Sequence, residues 1–173
     1  MPGTLGHLGS RFFEVLFASP LSDTERAMVE TWLTAGLGRA FFDQSAADQR
    51  HGYEAGQVVL ETGGRPDAIV AALMHDTGKR HAALGVLGRV AASVLIKLNL
   101  PLTRRLRLYR DHGITAATEL AGMGAPPLVI DFALHHHGDR PASIPPGTWD
   151  LLVRADQPKA TKLGRSRISS SVT

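Results

Sequence analysis

The sequence contains no cysteine. Disulfide bonds and thiolate metal ligands are therefore excluded, and any metal site must be built from histidine and carboxylate side chains. The lack of cysteine also fits a reducing compartment, so we expect a cytoplasmic protein.

An uncharged apolar run of membrane-spanning length is also missing. The longest apolar stretch, residues 82–100, contains Arg89 and Lys97, which make it a poor transmembrane helix. The first twenty residues have no cationic start before an apolar run, so we expect no signal peptide. Arginines cluster at positions 104, 105, 107 and 110. Attraction of this cluster to an anionic ligand, and a peripheral membrane contact through it and the preceding stretch, both stay open.

The 173 residues are 43% hydrophobic and 20% charged, which is typical of a soluble globular protein with one domain. No internal repeat and no strand-like alternation is visible in the sequence. Helical periodicity recurs between segments rich in glycine and proline. We therefore predict an all-α fold, a single-domain helical bundle.

Helix start and stop signals divide the chain. Ser22 and Glu25 form a capping box, Ser45 begins a helix that ends near Gly63, and Pro66 suits the first turn of the next helix. The spacing of apolar residues places His51 and Asp76 on faces that point inward. Further helices are predicted over residues 83–98, 102–110, 113–121, 128–135 and 148–155.

The most informative segment is AALMHDTGK, in which an apolar helix ends in the adjacent side chains of His75 and Asp76. A histidine beside an aspartate supplies one nitrogen and one oxygen ligand, a pairing suited to iron, manganese, nickel or zinc. Gly78 lets the chain turn sharply off the helix end. Lys79 places a cation where a phosphate can bind, although a lysine also suits the negative end of a helix dipole.

More candidate ligands lie on or beside other predicted helices. Side chains from several helices can converge on one or two metal ions inside a bundle. Each candidate has another interpretation: an exposed position for His112, a surface tract for the three consecutive histidines, and a partner for Arg154 or Lys159 in the case of Asp156. The order and number of the candidates favour a metal site. They are His51, His112, His135, His136, His137 and Asp156.

The order His51, His75-Asp76, Asp156 in a helical chain resembles the HD-domain superfamily of metal-dependent phosphohydrolases. The segments that carry the resemblance are DQRHGYEAGQVVL, AALMHDTGK and LLVRADQP. The segments YRDHGITAATELAGMG and DFALHHHGDRP are similar to the subset with extra histidines, which includes HD-GYP phosphodiesterases and HD hydrolases that cleave diadenosine tetraphosphate. The resemblance covers residues 45–160 as an HD-type metal-binding domain. It leaves residues 1–44 as an N-terminal helical extension and residues 161–173 as a disordered basic tail.

The resemblance implies a ligand set. His51, His75, Asp76 and Asp156 would hold one metal ion, and Asp76 would bridge to a second ion held by His112 with His135 and His136. Within the three histidines His135 is preferred, because the family's histidine lies three positions before a glycine, here Gly138. The implied cofactor is one or two divalent ions of iron, manganese, nickel, cobalt, zinc or magnesium.

The resemblance also implies an activity. We expect a phosphohydrolase that cleaves a phosphoester or phosphoanhydride of a phosphorylated small molecule or nucleotide, with Asp76 and Lys79 as catalytic residues and no stable nucleic-acid binding. The segment HHHGDRPASIPPG lacks the Gly-Tyr-Pro signature, which argues against cyclic di-GMP as the substrate. Two alternatives stay open: a di-iron oxygenase of the same superfamily, and a non-catalytic regulatory module stabilised by metal.

Overall fold

The computed structural model describes residues 19–157. Within this range the chain forms nine α-helices and one 3-10 helix and has no β-strand, which confirms the all-α prediction. The basic tail at 161–173 and most of the first twenty residues lie outside the described part. The α-helices are α1 (Asp23–Trp32), α2 (Ala35–Phe42), α3 (Ala46–Glu61), α4 (Pro66–Met74), α5 (Val86–Lys97), α6 (Arg104–Arg110), α7 (His112–Gly122), α8 (Pro127–His135) and α9 (Pro146–Asp156), and the 3-10 helix is Thr77–Ala82.

The helix starts follow the local signals. The Ser22 hydroxyl accepts a hydrogen bond from the Glu25 amide, and the Glu25 carboxylate accepts one from the Ser22 amide at 2.8 Å, so the capping box forms. The Ser45 hydroxyl accepts a hydrogen bond from the Asp48 amide and so caps α3, and Pro66 occupies the first turn of α4. A helix expected over 83–98 begins later, at Val86, because Ala83 adopts a left-handed backbone (φ 47°) that ends the 3-10 helix.

Helix α4 lies at the centre of the fold. All its residues from Ala68 to Met74 are buried, and it packs against α3, α8 and α9. Full burial of a leucine or methionine side chain stabilises a fold by about 1.5–3 kcal/mol. A helix buried on every side needs apolar residues all round, and the sequence of α4 provides them. Because α4 is central, the residues that follow its last turn, His75 and Asp76, are also buried.

The first two helices belong to the same hydrophobic core as the rest of the described chain. Val29 of α1 and Phe41 of α2 are fully buried in that core together with Leu73 of α4. The guanidinium of Arg50 in α3 donates hydrogen bonds to the carbonyl oxygens of Ser19 and Pro20. The described part of the predicted N-terminal extension is therefore packed into the bundle.

Helix α5 differs from the others in its packing. Ala92 is its buried residue among the side chains that the structure describes, and the remaining ones are half-buried or exposed. The guanidinium of Arg89 forms a two-pronged ion pair with Asp48 of α3, with both distances 2.6 Å. In residues 19–157, no helix combines the length and apolar character that a membrane crossing requires.

Candidate metal centre

Three histidines at helix ends present their rings in the same way. His75 and His136 follow the last residues of α4 and α8, and His112 begins α7. In each ring Nδ1 lies within hydrogen-bonding distance of the carbonyl oxygen three residues earlier. A carbonyl can only accept, so each Nδ1 carries the proton and Nε2 is the atom that faces the centre of the cluster. The distances are 2.9 Å from His75 to Ala72, 2.9 Å from His136 to Ala133, and 2.7 Å from His112 to Tyr109.

Two carboxylates lie among these imidazoles. Asp156 Oδ1 lies 2.8 Å from His51 Nε2 and 3.1 Å from His75 Nε2. Asp76 Oδ2 lies 3.5 Å from His75 Nε2. Its other oxygen, Oδ1, lies 3.2 Å from His112 Nε2 and 3.4 Å from His136 Nε2. The side chains of α3, α4, α7, α8 and α9 thus meet at one place.

Asp76 is shared by two groups of possible metal ligands. One group joins it to His51 and His75, and the other to His112, His136 and His137. Within each group the donor atoms lie within 4.8 Å of one another. Nitrogen and oxygen donors of this kind suit transition metals such as iron, manganese and zinc.

The Oδ1 atom of Asp76 shows that the cluster fits a cation. This oxygen is buried and has no hydrogen-bond partner among the described residues. His112 Nε2 and His136 Nε2 lie 3.3 Å apart beside it, and in neutral rings protonated at Nδ1 they have no hydrogen to offer. A buried polar atom left unpaired costs about 1–3 kcal/mol. A cation that accepts all these electron pairs removes the conflict, so the cluster can hold a metal ion.

The two carboxylates of the cluster are ionised, as metal binding requires, whereas His75 would have to release its Nε2 proton to bind an ion. Burial favours neutral Asp76, but the Lys79 ammonium and His75 outweigh it and hold the pKa of Asp76 well below its usual range. Burial likewise opposes ionisation of Asp156, and His75 and His51 lower its pKa. Burial opposes the charge on His75, yet the two carboxylates raise its pKa to about 9. Burial lowers the pKa of His136, which keeps that ring neutral.

Lys79 lies at the edge of the cluster. Its ammonium forms an ion pair with Asp76 Oδ2, and its side chain is only 11% exposed. Burial opposes the charge on Lys79, but Asp76 raises its pKa, so it stays protonated. The neighbouring Arg80 points elsewhere and pairs with Glu119 of α7. Lys79 is therefore a cation held in direct contact with the central carboxylate.

The structure places the three consecutive histidines differently relative to the cluster. His136 lies in the cluster, whereas His135 belongs to neither group of possible ligands. Val129, Phe132 and Ala133 form the buried face of α8, and His136 continues that face at helical spacing. His135 lies about 100° further round the helix. The preference for His135 depends on its position three residues before Gly138. The apolar stripe of α8, which is visible in the sequence, indicates His136 instead.

His137 also differs from expectation. The ligand set that the resemblance implies omits His137, but one of its ring nitrogens lies in the group with Asp76, His112 and His136. Its ring centroid is 3.9 Å from that of His136. His137 is an exposed residue, so it borders the cluster from the solvent side.

Three glycines let the helices of the cluster approach one another, and two of these close contacts are not predicted from the sequence. A β-carbon at Gly52 would lie 2.7 Å from the carbonyl oxygen of Leu73, and one at Gly113 would lie 2.7 Å from that of Ala133. Gly78, expected to turn the chain, has no left-handed backbone and instead lies against the His112 carbonyl. In the sequence, the glycines directly after His51 and directly after His112 are the signal that could have predicted these close contacts.

Comparisons with known proteins do not identify a family. No protein-family model matches the chain, and no curated protein or solved structure shows a significant match. The fold and the cluster therefore define the class: an all-α protein with a buried histidine and aspartate cluster that can hold a metal ion.

Proposed function

We propose that this protein is a metal-dependent phosphohydrolase of the HD-domain type, which cleaves a phosphoester or phosphoanhydride of a nucleotide-like substrate. The observation that supports the proposal is the position of Asp76 in both groups of possible ligands. A single carboxylate flanked by two donor sets is the arrangement that a pair of ions needs.

The residues of the cluster would bind two metal ions. His51, His75, Asp76 and Asp156 would hold one ion, and Asp76, His112 and His136 a second. When bound, such ions lower the pKa of a water molecule toward neutrality and offset the charge of a phosphoryl group. The carbonyl bonds at Nδ1 orient the rings of His75, His112 and His136 in advance, which strengthens each as a ligand.

Lys79 would bring positive charge to the substrate. Its ammonium is already at the edge of the cluster and in contact with Asp76. Asp76 would be shared between the Lys79 ammonium and a bound ion. Lys79, a flexible side chain with three donors, could then turn to an oxygen of the substrate phosphate.

The test is turnover by wild type and by Asp76→Ala. Protein purified without added metal, and then loaded with iron, manganese, zinc or magnesium, is screened against nucleotides, dinucleotides and an aryl phosphate. Wild type should hydrolyse at least one of them. The rate of hydrolysis by Asp76→Ala should be lower by a factor of at least about one hundred. Asp67→Ala is the matched control, because Asp67 lies in the first turn of α4 and pairs with Arg65.

Two outcomes would refute the assignment. Equal turnover by wild type and Asp76→Ala would place the reaction outside the cluster. No turnover of any substrate, together with a large fall in thermal stability on metal removal, would favour a module that uses metal only for its fold.

A second candidate is a di-iron oxygenase. The group of His51, His75 and Asp76 has two histidines and one carboxylate, the donor set of many non-haem iron oxygenases. This reading predicts iron in the purified protein and oxygen uptake that depends on a substrate. Turnover supported equally by magnesium and by iron, without oxygen uptake, would exclude it.

A further inference from the structure

Helix α5 carries apolar side chains on its solvent-facing side. Leu87 is 77% exposed, Val94 40% and Leu98 63%, and Leu100 in the following turn is 45% exposed. Ala91, between Leu87 and Val94, is exposed as well. Positions 87, 91, 94 and 98 are spaced by four, three and four residues, so they form one line along the helix. We call Leu87, Ala91, Val94, Leu98 and Leu100 the α5 stripe.

Such a stripe is unusual on a solvent-facing helix. Isolated exposed apolar residues are common on protein surfaces, but a contiguous patch marks a contact with something apolar. The opposite side of the helix is held to the protein by Ala92 and by the ion pair of Arg89 with Asp48. The helix therefore keeps its apolar line turned outward.

The surroundings of the stripe are cationic. Residues 77–110 contain no aspartate or glutamate. Lys97, Arg104 and Arg107 are exposed residues near the stripe in sequence. The partner must therefore offer an apolar interior behind a negative surface. Four other cations of this segment, Lys79, Arg80, Arg89 and Arg110, form ion pairs with Asp76, Glu119, Asp48 and Asp111 and add no net charge.

A groove next to the stripe has both apolar and positively charged residues in its lining. It has a volume of about 370 Å³, and its lining includes Ile96, Leu100 and Leu102 together with Arg107 and Arg110. A lipid at a bilayer surface presents the matching pair, an anionic headgroup above an acyl chain. The segment from α5 to α6 is fixed to the body of the protein, since Arg105 donates hydrogen bonds to the carbonyl oxygens of Ala82 and Ala83.

We propose that the α5 stripe, with the cations of α5 and α6, docks this protein onto the surface of an anionic lipid bilayer. A second copy of the chain is a poorer partner. A two-fold interface through this face would place the exposed cations Lys97, Arg104 and Arg107 of one copy against those of the other. An apolar line beside lysine and arginine side chains is instead the pattern of a helix that lies in a membrane interface.

The test is co-sedimentation of the full chain with vesicles. Phosphatidylcholine vesicles are compared with vesicles of phosphatidylcholine and phosphatidylglycerol, at low and high salt. Wild type should bind the mixed vesicles and should lose binding at high salt and on phosphatidylcholine alone. The double variant Leu87→Gln, Leu98→Gln should bind about tenfold more weakly. Arg104→Gln should bind about fivefold more weakly.

Matched substitutions elsewhere control for general effects. Leu60→Gln replaces a leucine of α3 that is 42% exposed, and Arg39→Gln replaces an exposed arginine of α2. Both should bind as wild type does. All variants are also measured by light scattering after size exclusion and by thermal unfolding. The stripe variants should keep the mass and the melting temperature of wild type, because the replaced side chains face solvent.

Each of four results would overturn the proposal. The first is failure of wild type to bind the mixed vesicles, and the second is equal binding by the stripe variant. The third is a wild-type dimer that the stripe variant loses, since the stripe would then join two copies. The fourth is a fall of several degrees in the melting temperature of the stripe variant, since the stripe would then be covered by another part of the same chain.

Discussion

Gly78 packs directly against the carbonyl oxygen of His112, so the chain that leaves Asp76 touches the start of α7 without an intervening side chain. This contact sets how near His112 comes to Asp76. Its Nε2 atom lies 3.2 Å from Asp76 Oδ1. The close approach of two backbones is therefore part of the construction of the cluster.

We predict that Gly78→Ala destabilises the protein and disturbs the cluster. A β-carbon at this position would overlap backbone atoms of His112, which cannot move as a side-chain tip can. The free energy of unfolding should fall by about 3 kcal/mol, as for an overpacked core. Urea denaturation followed by circular dichroism measures it. Gly36→Ala in α2 is the control, because nothing lies within 4 Å of its β-carbon, and it should be neutral or stabilising by up to about 1 kcal/mol.

Two adjacent histidines offer a matched test of the metal cluster. His136→Ala should reduce the affinity for a divalent ion by at least about a hundredfold, because Nε2 of His136 lies among the donor atoms. His135→Ala should bind metal as wild type does. Elemental analysis and titration with zinc or manganese give the comparison. Loss of metal in His135→Ala with retention in His136→Ala would contradict the placement of these rings.

The ion pair between Arg89 and Asp48 should control the mobility of α5. Both side chains are largely buried, at 12% and 7% exposure, and removing one partner leaves the other charge uncompensated. Arg89→Gln should therefore speed hydrogen exchange of the α5 amides at least about tenfold, while those of α4 keep their protection. Mass spectrometry of peptic peptides separates the two helices. Equal acceleration in α4 would indicate global destabilisation and contradict the prediction.

The contact between Glu25 and Arg50 predicts a dependence of stability on pH. The two-pronged hydrogen bond from Arg50 lowers the pKa of Glu25 from 4.5 to about 2. A depressed pKa in the folded state stabilises the protein above the unfolded pKa, and this contribution disappears as the pH falls toward 2. Glu25→Gln keeps an acceptor for the helix cap but removes the charge. It should cost about 1 kcal/mol at pH 6 and less than half of that at pH 3.

Denaturant unfolding of wild type and Glu25→Gln at the two pH values measures this difference. Glu30→Gln, at an exposed position of the same helix, is the control for the loss of a negative charge. A difference between wild type and Glu25→Gln that is as large at pH 3 as at pH 6 would show that the ionised pair is not its source.

Much of the helical framework could be predicted from local sequence. The capping box at Ser22 and the cap at Ser45 are short-range hydrogen-bond patterns, and both form in the structure. The break at Ala83 could not be predicted, because a left-handed alanine is rare and carries no local signal. Its position is set by the packing of the 3-10 helix against α7 and α6.

The candidate site could be predicted as a set of residue types but not as a geometry. The order of His51, His75-Asp76 and Asp156 indicated which side chains would meet, and the structure brings them together. The choice between His135 and His136 depends on which face α8 turns inward. The apolar residues Val129, Phe132 and Ala133 indicate that face and point to His136, whereas the family's spacing before Gly138 points to His135. Their role as ligands stays a prediction.

The glycine contacts and the Nδ1 bonds needed coordinates. Gly113 matters because α8 runs across it, and nothing near position 113 in the sequence specifies that partner. The contact between Lys79 and Asp76 also needed coordinates, because a flexible lysine side chain can point in several directions. Tertiary contacts decide such details after the local signals have formed the helices.

The contact of His51 with Asp156 closes a loop of the chain, because these residues are 105 positions apart. A protein without cysteine cannot fasten such a loop with sulfur. A metal ion bound by both residues would be a reversible cross-link between them. In the chain-entropy model, a cross-link that closes a loop of about 100 residues raises the free energy of unfolding by roughly 4.7 kcal/mol. The integrity of the whole bundle would then rise and fall with the supply of one ion.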